Sequence, residues 1–361
     1  MAEPLKNLYS AELISSLCHS IISVYGKFKA EQFTADIFDT EWNERELKDR
    51  MNHISVNLQK YLPENYIESI NILKSISSNF DGFQYMFFPG FAELYGLDHY
   101  EESIKALEHF TEFSSSEFAV RPFIKKYPDK MMAQMEKWAE SENFHVRRLA
   151  SEGCRPRLPW AMALPEFKKN PNPVLKILKK LKNDESEYVR RSVANNLNDI
   201  SKDNPQLVVD IATKWLGENR DTDRLVKHAC RTLLKQGHPK ILDLFGLVKP
   251  DHISMEDFRV QKTVNMGEYL EFSFILNTQQ RKLGKIRIEY GIDFMKKNGK
   301  LSRKLFKISE SDYSLQKKEI TKRHSFRKIS TRKYYPGIHG LAVIVNGHEM
   351  VIDKFVLVEN R

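Results

Sequence analysis

The sequence predicts a mostly α-helical chain that ends in a β-domain: an array of helical repeats followed by a β-sandwich. Three observations carry this. Apolar residues recur at helical spacing up to about residue 245. A segment containing Val-Arg-Arg returns at an interval of about 40 residues. After Pro250 the pattern changes to apolar–polar alternation with turn residues between the runs.

The helical part opens at Ser10, which suits an N-cap. Leu13, Ile14, Leu17, Ile21 and Ile22 follow as one stripe, and Phe38, Trp42, Leu47, Met51, Ile54, Leu58 and Tyr61 as a second. Further helical patterns cover 66–79, 99–113, 116–126, 129–140, 144–152, 173–181, 187–197, 205–216, 223–235 and 238–245, with Gly and Pro in the gaps. The segments FHVRRLASEGC (144–154), YVRRSVANNLN (188–198) and RLVKHACRTLL (224–234) align with one another. Helix pairs at this period are the unit of HEAT-like arrays, in which stacked neighbours bury a face that one unit cannot bury alone. A concave surface results.

The β-domain is predicted from FRVQKTV (258–264), EYLEFSFIL (268–276), KIRIEYGI (285–292), KLFKI (304–308), LAVIVNG (341–347) and MVIDKFVLV (350–358). Tyr334-Tyr335-Pro336-Gly337 before a strand suits the tyrosine corner of immunoglobulin-like sandwiches. The expected domains are therefore 1–248, a HEAT-like helical domain, and 255–361, an immunoglobulin-like β-sandwich. A chain of 361 residues is long enough for both.

Composition narrows the function. No stretch reaches the roughly 20 apolar residues of a membrane span. MAEPLKNLYSAEL lacks the apolar core of a signal peptide. Cys18, Cys154 and Cys230 are odd in number and far apart, which suits a reducing compartment and a cytoplasmic protein. The net charge of +9 is unevenly spread. Residues 281–333 carry 18 Lys/Arg against 5 Asp/Glu, and the rest of the chain 39 against 43. Such a segment points to a polyanion partner. HExxH, P-loop, GxGxxG and GxSxG patterns are missing from the sequence, so no cofactor and no metal are expected.

Several residues have chemistry to offer. Arg148 and Glu152 are four apart on one helical face. The repeat alignment sets Arg191 against Arg148 and Asn195 against Glu152, with Asp199 one turn further on. Spacing alone allows ordinary surface ion pairs, or acids placed on a nucleic-acid-facing wall to meet a cation. Trp160 follows the rigid Gly153–Pro159 turn and is either a core anchor or a ring presented at an edge. Glu117 follows Ser114-Ser115-Ser116 and is expected in the first turn of a helix capped by a serine. Cys154 has no evident histidine partner for nucleophilic work.

The strings FTEFSSSEFAVRPFI (110–124), VRRLASEGCRPRLPWAMAL (146–164) and YVRRSVANNLNDISKDNP (188–205) resemble the AlkC subfamily of bacterial DNA alkylation-repair glycosylases, in the branch with a C-terminal immunoglobulin-like domain. The resemblance implies excision of 3-methyladenine and, less efficiently, other N3-alkylated bases such as 3-methylcytosine. The N-glycosidic bond would be hydrolysed through an oxocarbenium-like transition state, without a deep base-flipping pocket. It implies catalytic roles for Glu117, Glu152, Trp160 and Asp199, and a DNA contact for Arg148. Arg155, Arg191, Arg323, Arg327, Lys328, Arg332 and Lys333 are further candidate DNA ligands by charge and position. The expected partner is double-stranded DNA containing alkylated bases, bound by a monomer of a nucleoid-associated bacterial protein. A non-catalytic HEAT-like nucleic-acid scaffold and a protein–protein adaptor are the competing readings.

Overall fold

The computed structural model describes residues 4–329 and 332–359. It divides into two compact units, Met1–Ala229 and Cys230–Arg361. Ser330 and Thr331, inside the basic segment, lie outside the described residues.

The first unit is helical. It runs through α1 (Ala11–Val24), α2 (Ala30–Ile37), α3 (Leu47–Tyr61), α4 (Tyr66–Ser77), α5 (Phe87–Tyr95), α6 (Tyr100–Phe110) and α7 (Val120–Lys126). It continues with α8 (Pro128–Trp138), α9 (Phe144–Glu152), α10 (Pro165–Lys169), α11 (Asn172–Leu181), α12 (Glu187–Ile200), α13 (Pro205–Trp215) and α14 (Arg220–Ala229). Ser10 caps α1 by accepting the Leu13 N–H, and Leu13, Ile14, Leu17 and Ile21 are buried while Ile22 is exposed. The stripe expected from Phe38 to Tyr61 is interrupted: Trp42 is buried in the turns before α3. Pro89 and Gly90 hide α5 from a periodicity search, yet the helix forms, with Phe87, Phe88 and Phe91 buried.

The repeat is real in packing terms. Val146, Val189 and Leu225 are buried on α9, α12 and α14, and α12 packs against both neighbours. The Val-Arg-Arg segment has a division of labour. Its first arginine is a clamp between repeats. Arg147 donates to the Ser141 and Glu142 carbonyls and pairs with Asp184 at 2.6 Å. Arg190 donates to the Asp184 and Glu185 carbonyls and pairs with Asp221 at 3.1 Å. Each arginine thereby satisfies carbonyls before its own helix and a carboxylate at the start of the following repeat. The second arginine of each segment, Arg148 or Arg191, is left for other work.

The second unit begins with α15 (Arg231–Lys235) and α16 (Pro239–Leu244). The single helix expected over 223–235 is broken at Cys230, and the two short helices after it belong to the unit that holds the sandwich. The strands are β1 (Ile253–Val260), β2 (Thr263–Asn265), β3 (Tyr269–Thr278), β4 (Gly284–Met295), β5 (Leu301–Tyr313), β6 (Lys317–Ser325), β7 (Gly337–Val345) and β8 (His348–Val358). One sheet has the order β1-β3-β6 and the other β2-β8-β7-β4-β5. All pairs are antiparallel except β2 with β8. Leu270, Phe272, Phe274, Ile286, Ile288, Leu341, Val343 and Phe355 are among the side chains that fill the core. Asn346 and Gly347, both at positive φ, close the β7–β8 hairpin, as expected of an Asn-Gly turn. Tyr334 packs on this core and its hydroxyl donates to the Ser325 carbonyl at 3.5 Å.

Candidate active site

The site is assembled from the turn before α7, the inward face of α9, the loop that leaves α9, and α12. Glu117 sits in that turn, two residues ahead of Ala119, the residue that precedes α7. This differs from the expected first helical turn. Ser115 does not cap the helix; its hydroxyl donates to Glu117 Oε2 at 2.8 Å. Ser116 donates to the Leu107 carbonyl. The serines therefore lock the turn and aim the carboxylate.

Arg148 projects from α9 toward Glu117 and pairs with it, while its Nη1 donates to Ser115 Oγ at 2.9 Å. The same guanidinium reaches Glu152 Oε1 at 3.5 Å, one turn along α9. Its flat face lies 5.0 Å from the ring centroid of Tyr188. Glu152 then accepts from Arg155 Nη1 at 2.6 Å and from Ser192 Oγ, on α12, at 2.5 Å. Arg155 continues the chain to Asp199, with Nε and Nη2 at 2.9 and 2.8 Å from Oδ2. Lys202 closes it at 3.1 Å from Asp199 Oδ1. The result is an alternating series of carboxylates and cations: Glu117, Arg148, Glu152, Arg155, Asp199, Lys202.

Burial sets the electrostatics. Glu152 and Asp199 are almost wholly withdrawn from solvent. Desolvation opposes ionisation of Glu152, but Arg148, Arg155 and the Ser192 hydroxyl together outweigh it and hold its carboxyl below the usual range. Desolvation likewise works against Arg148 and Arg155, and their carboxylate neighbours reverse it, so both are held charged. Each lone charge here would be very costly to bury; the alternation is what permits three acids to stay in one place.

Trp160 behaves differently. It is 61% exposed, the one exposed tryptophan of the four in the sequence, and its φ is 63°. A non-glycine residue in the left-handed region is strained, so the surrounding loop must impose the conformation. Arg121 does much of this. Fully buried on α7, it donates to the Gly153 carbonyl at 2.9 Å and to the Met162 carbonyl at 2.7 Å, gripping the loop on either side of Trp160. Burial lowers its pKa to about 10. Gly153 is required where α9 meets α7, because a Cβ there would stand 2.6 Å from Val120 Cγ2. The Trp160 ring has the Phe83 ring as an aromatic neighbour, with centroids 6.3 Å apart.

The remaining expected residues are scattered. Arg155, expected on phosphate, is buried between Glu152 and Asp199 and presents no free face. Its side chain is the bridge between two acids, so this placement corrects the expectation of a phosphate ligand. Arg148 is also largely buried, against Glu117. Arg191 is exposed and shares a shallow groove with Arg190 and Arg224. In the sandwich unit Arg323 pairs with Glu271 across β3 and β6. Arg327 lies over the Tyr269 ring at 5.3 Å, Arg332 over Phe294 at 4.4 Å and Lys333 over Tyr335 at 5.7 Å, while Lys328 is exposed. Cys154 is buried and its thiol is pushed up to about 12 by burial, which removes it as a thiolate nucleophile. Among the described residues no group of His, Cys, Asp and Glu is arranged to hold a metal ion, and no helix is long and apolar enough to cross a membrane.

Sequence reasoning missed Arg121, Ser192 and Lys202, and offered Ser115 as a helix cap where it instead bonds Glu117 and Arg148. Lys202 was within reach, since it lies three residues after Asp199 on the same turn of chain. Arg121 carried a weaker signal: an arginine set among Val120, Phe123 and Ile124, all apolar and buried.

Comparison with known proteins bears on these units. A family model described as DNA alkylation repair enzyme matches residues 92–233, and one described as the C-terminal Ig-like domain of the uncharacterised protein YhaZ matches 254–359. The chain is 48% identical over 345 residues to the uncharacterized protein YhaZ of Bacillus subtilis (strain 168), covering 95% of this chain and 96% of that one. The structure of the Pseudomonas fluorescens alkylpurine DNA glycosylase AlkC bound to DNA containing an abasic site analog matches with a TM-score of 0.92 at 34% identity. That match covers 99% of this chain and 100% of the other.

Proposed function

The chain belongs to the AlkC family of DNA alkylation-repair glycosylases, and from that premise we propose that it excises cationic N3-alkylated bases, 3-methyladenine foremost, from duplex DNA. The observation that carries the reading is the alternating, largely buried series from Glu117 to Asp199, closed by the exposed Lys202, on the unit whose loop also presents an exposed, strained Trp160.

An N3-alkylated purine already carries a positive charge, so it leaves without a general acid. Bond breaking then builds oxocarbenium character on the deoxyribose. Carboxylates fixed before the reaction stabilise that charge without reorganising. Glu152, held ionised by its arginines and Ser192, supplies the field and orients or deprotonates the attacking water. Glu117 adds to the field from the opposite side of Arg148. Asp199, two links further along the series, supplies a further fixed charge. Trp160 offers its ring face to the sugar cation, worth about 0.5–2 kcal/mol by analogy with other cation–π contacts.

The arginines have two duties in this scheme. They make burial of the acids tolerable, and Arg148 has DNA phosphate as an alternative partner. Transfer of its guanidinium to phosphate would leave Glu117 facing the reacting sugar. A neutral base is a poor leaving group, so electrostatic help of this size suffices for the lesion and fails on undamaged DNA. Arg327, Lys328 and Lys333, exposed on the sandwich unit, supply backbone affinity for a monomer on one duplex.

The test is chromatography of bases released from methylated duplex DNA. Release of 3-methyladenine well above the spontaneous rate, with undamaged DNA untouched, is the expected result. Duplex binding with no released base would leave a non-catalytic scaffold.

A further inference from the structure

Trp160 raises a question that the carboxylate series does not answer. Its backbone sits in a region that favours glycine and its ring is mostly in solvent. Neither conformational preference nor burial holds it where a sugar could meet it. Arg121 grips Gly153 and Met162 on either side, but not Trp160 itself.

Besides the neighbouring Phe83 ring, one side chain hydrogen-bonds to its backbone. Lys48, in the first turn of α3, donates from Nζ to the Trp160 carbonyl at 2.6 Å, across 112 positions of sequence. The same ammonium lies 4.9 Å from the ring centroid of Phe118, the residue that follows Glu117. A single cation thus links the carbonyl of the strained tryptophan to the turn that carries an acid of the site. Lys48, Glu93 and Phe118 line one small cleft, and the Glu93 carboxyl, pushed up by burial, is drawn back by the Lys48 charge. The ammonium is therefore balanced locally by a carboxylate, a carbonyl dipole and a ring face.

We propose that Lys48 is a positioning residue that fixes Trp160 against the Glu117 turn, so that ring and carboxylate meet the same sugar. This rests on the proposed glycosylase reading and adds to it a residue on a helix far from the acids in sequence. A lysine suits the task because its compact ammonium can donate to a carbonyl while resting over a ring. The contact lies near the surface, so its loss should disturb the placement of Trp160 far more than the fold.

The experiment joins fluorescence to kinetics. Trp42, Trp138 and Trp215 are buried, so acrylamide quenching of the intact protein reads chiefly Trp160. In K48M the quenching constant should rise while the melting temperature stays put, and K48R should restore most of the native value. With protein saturating over lesion duplex, K48M should slow single-turnover base release by about tenfold, a hydrogen-bond-sized effect, with duplex Kd changed less than about twofold. In a W160A background the K48M change should cost little more, because both act through one ring. Unaltered quenching in K48M, or a K48M loss just as large without Trp160, would overturn the proposal. If the native protein releases no base, the glycosylase reading falls, and the quenching comparison still decides whether Lys48 holds Trp160.

Discussion

In the helical unit Glu117, Arg148, Glu152, Arg155 and Asp199 are withdrawn from solvent and joined in one series, each charge touching its opposite. In the sandwich unit Arg327, Lys328 and Lys333 stand exposed, with aromatic rings under two of them. The first arrangement is costly to break and hardly screened by salt; the second is inexpensive to alter and strongly screened. Burial of ion pairs is not in itself the distinction, because the sandwich also buries Arg287 against Glu289 and Glu310 at 2.6 and 2.8 Å. What sets the helical cluster apart is the loop that leaves it, which grips an exposed tryptophan in a strained conformation. The proposed function follows this division: preorganised charge for chemistry in one unit, mobile-ion electrostatics for affinity in the other.

Breaking the buried series should have the largest effect. R155M leaves Glu152 and Asp199 without their shared partner, and removal of one member of a buried pair costs about 3–5 kcal/mol. Urea denaturation of the variant checks this, and a loss below about 1 kcal/mol would mean the series is not held by its alternation.

Acid separates the units next. Burial, helped by Arg332 and Lys304, lowers the His324 pKa to about 4 from 6.5, and its Nδ1 shares a hydrogen bond with the Tyr290 hydroxyl. The unfolded chain binds that proton more readily, so stability present above pH 6.5 is lost as pH falls toward 4, by about 2–3 kcal/mol. Glu152, also held below its ordinary value of 4.5, contributes stability that begins to fade only below pH 4.5. Melting curves across this range should therefore show H324N flattening the upper window and E152Q the lower one. Identical pH profiles for both variants would erase the contrast.

Neutralising the three exposed cations together, as R327A, K328A and K333A, should give the smallest change. Duplex affinity should fall by about tenfold at moderate salt, and the salt dependence should become shallower by up to about 0.9 in slope for each cation on a phosphate. Single-turnover release at saturating protein should be unchanged. A slower chemical step with unaltered salt slope would reverse the roles given to the two units.

Legibility differed between the units in a physical way. The helical stripes and the repeat were readable because burial imposes a period, and α9 and α12 begin within one residue of expectation. Strand β6 was not read, because KKEITKRHS buries only Ile320 and His324 and shows the Lys/Arg side chains of a solvated face. The basic segment thus concealed a strand that pairs fully with β3. At the site, helix spacing pairs Arg148 with Glu152, but charge alone suggests a phosphate ligand at Arg155. Its bridge to Asp199 spans 44 positions, and such a contact comes only from the stacking of repeats. Ser192 and Arg121 were invisible for the same reason: their partners lie one repeat away or in the loop.

The central claim is that carboxylates fixed in the helical unit stabilise a sugar cation as a charged base departs. Single-turnover release of 3-methyladenine by E152Q, at saturating protein, tests it most directly. The expected rate is about 10²–10³ below that of the native protein with duplex Kd within about twofold, the size of effect seen when one preorganised electrostatic group is removed. E152Q releasing the base at the native rate would contradict it.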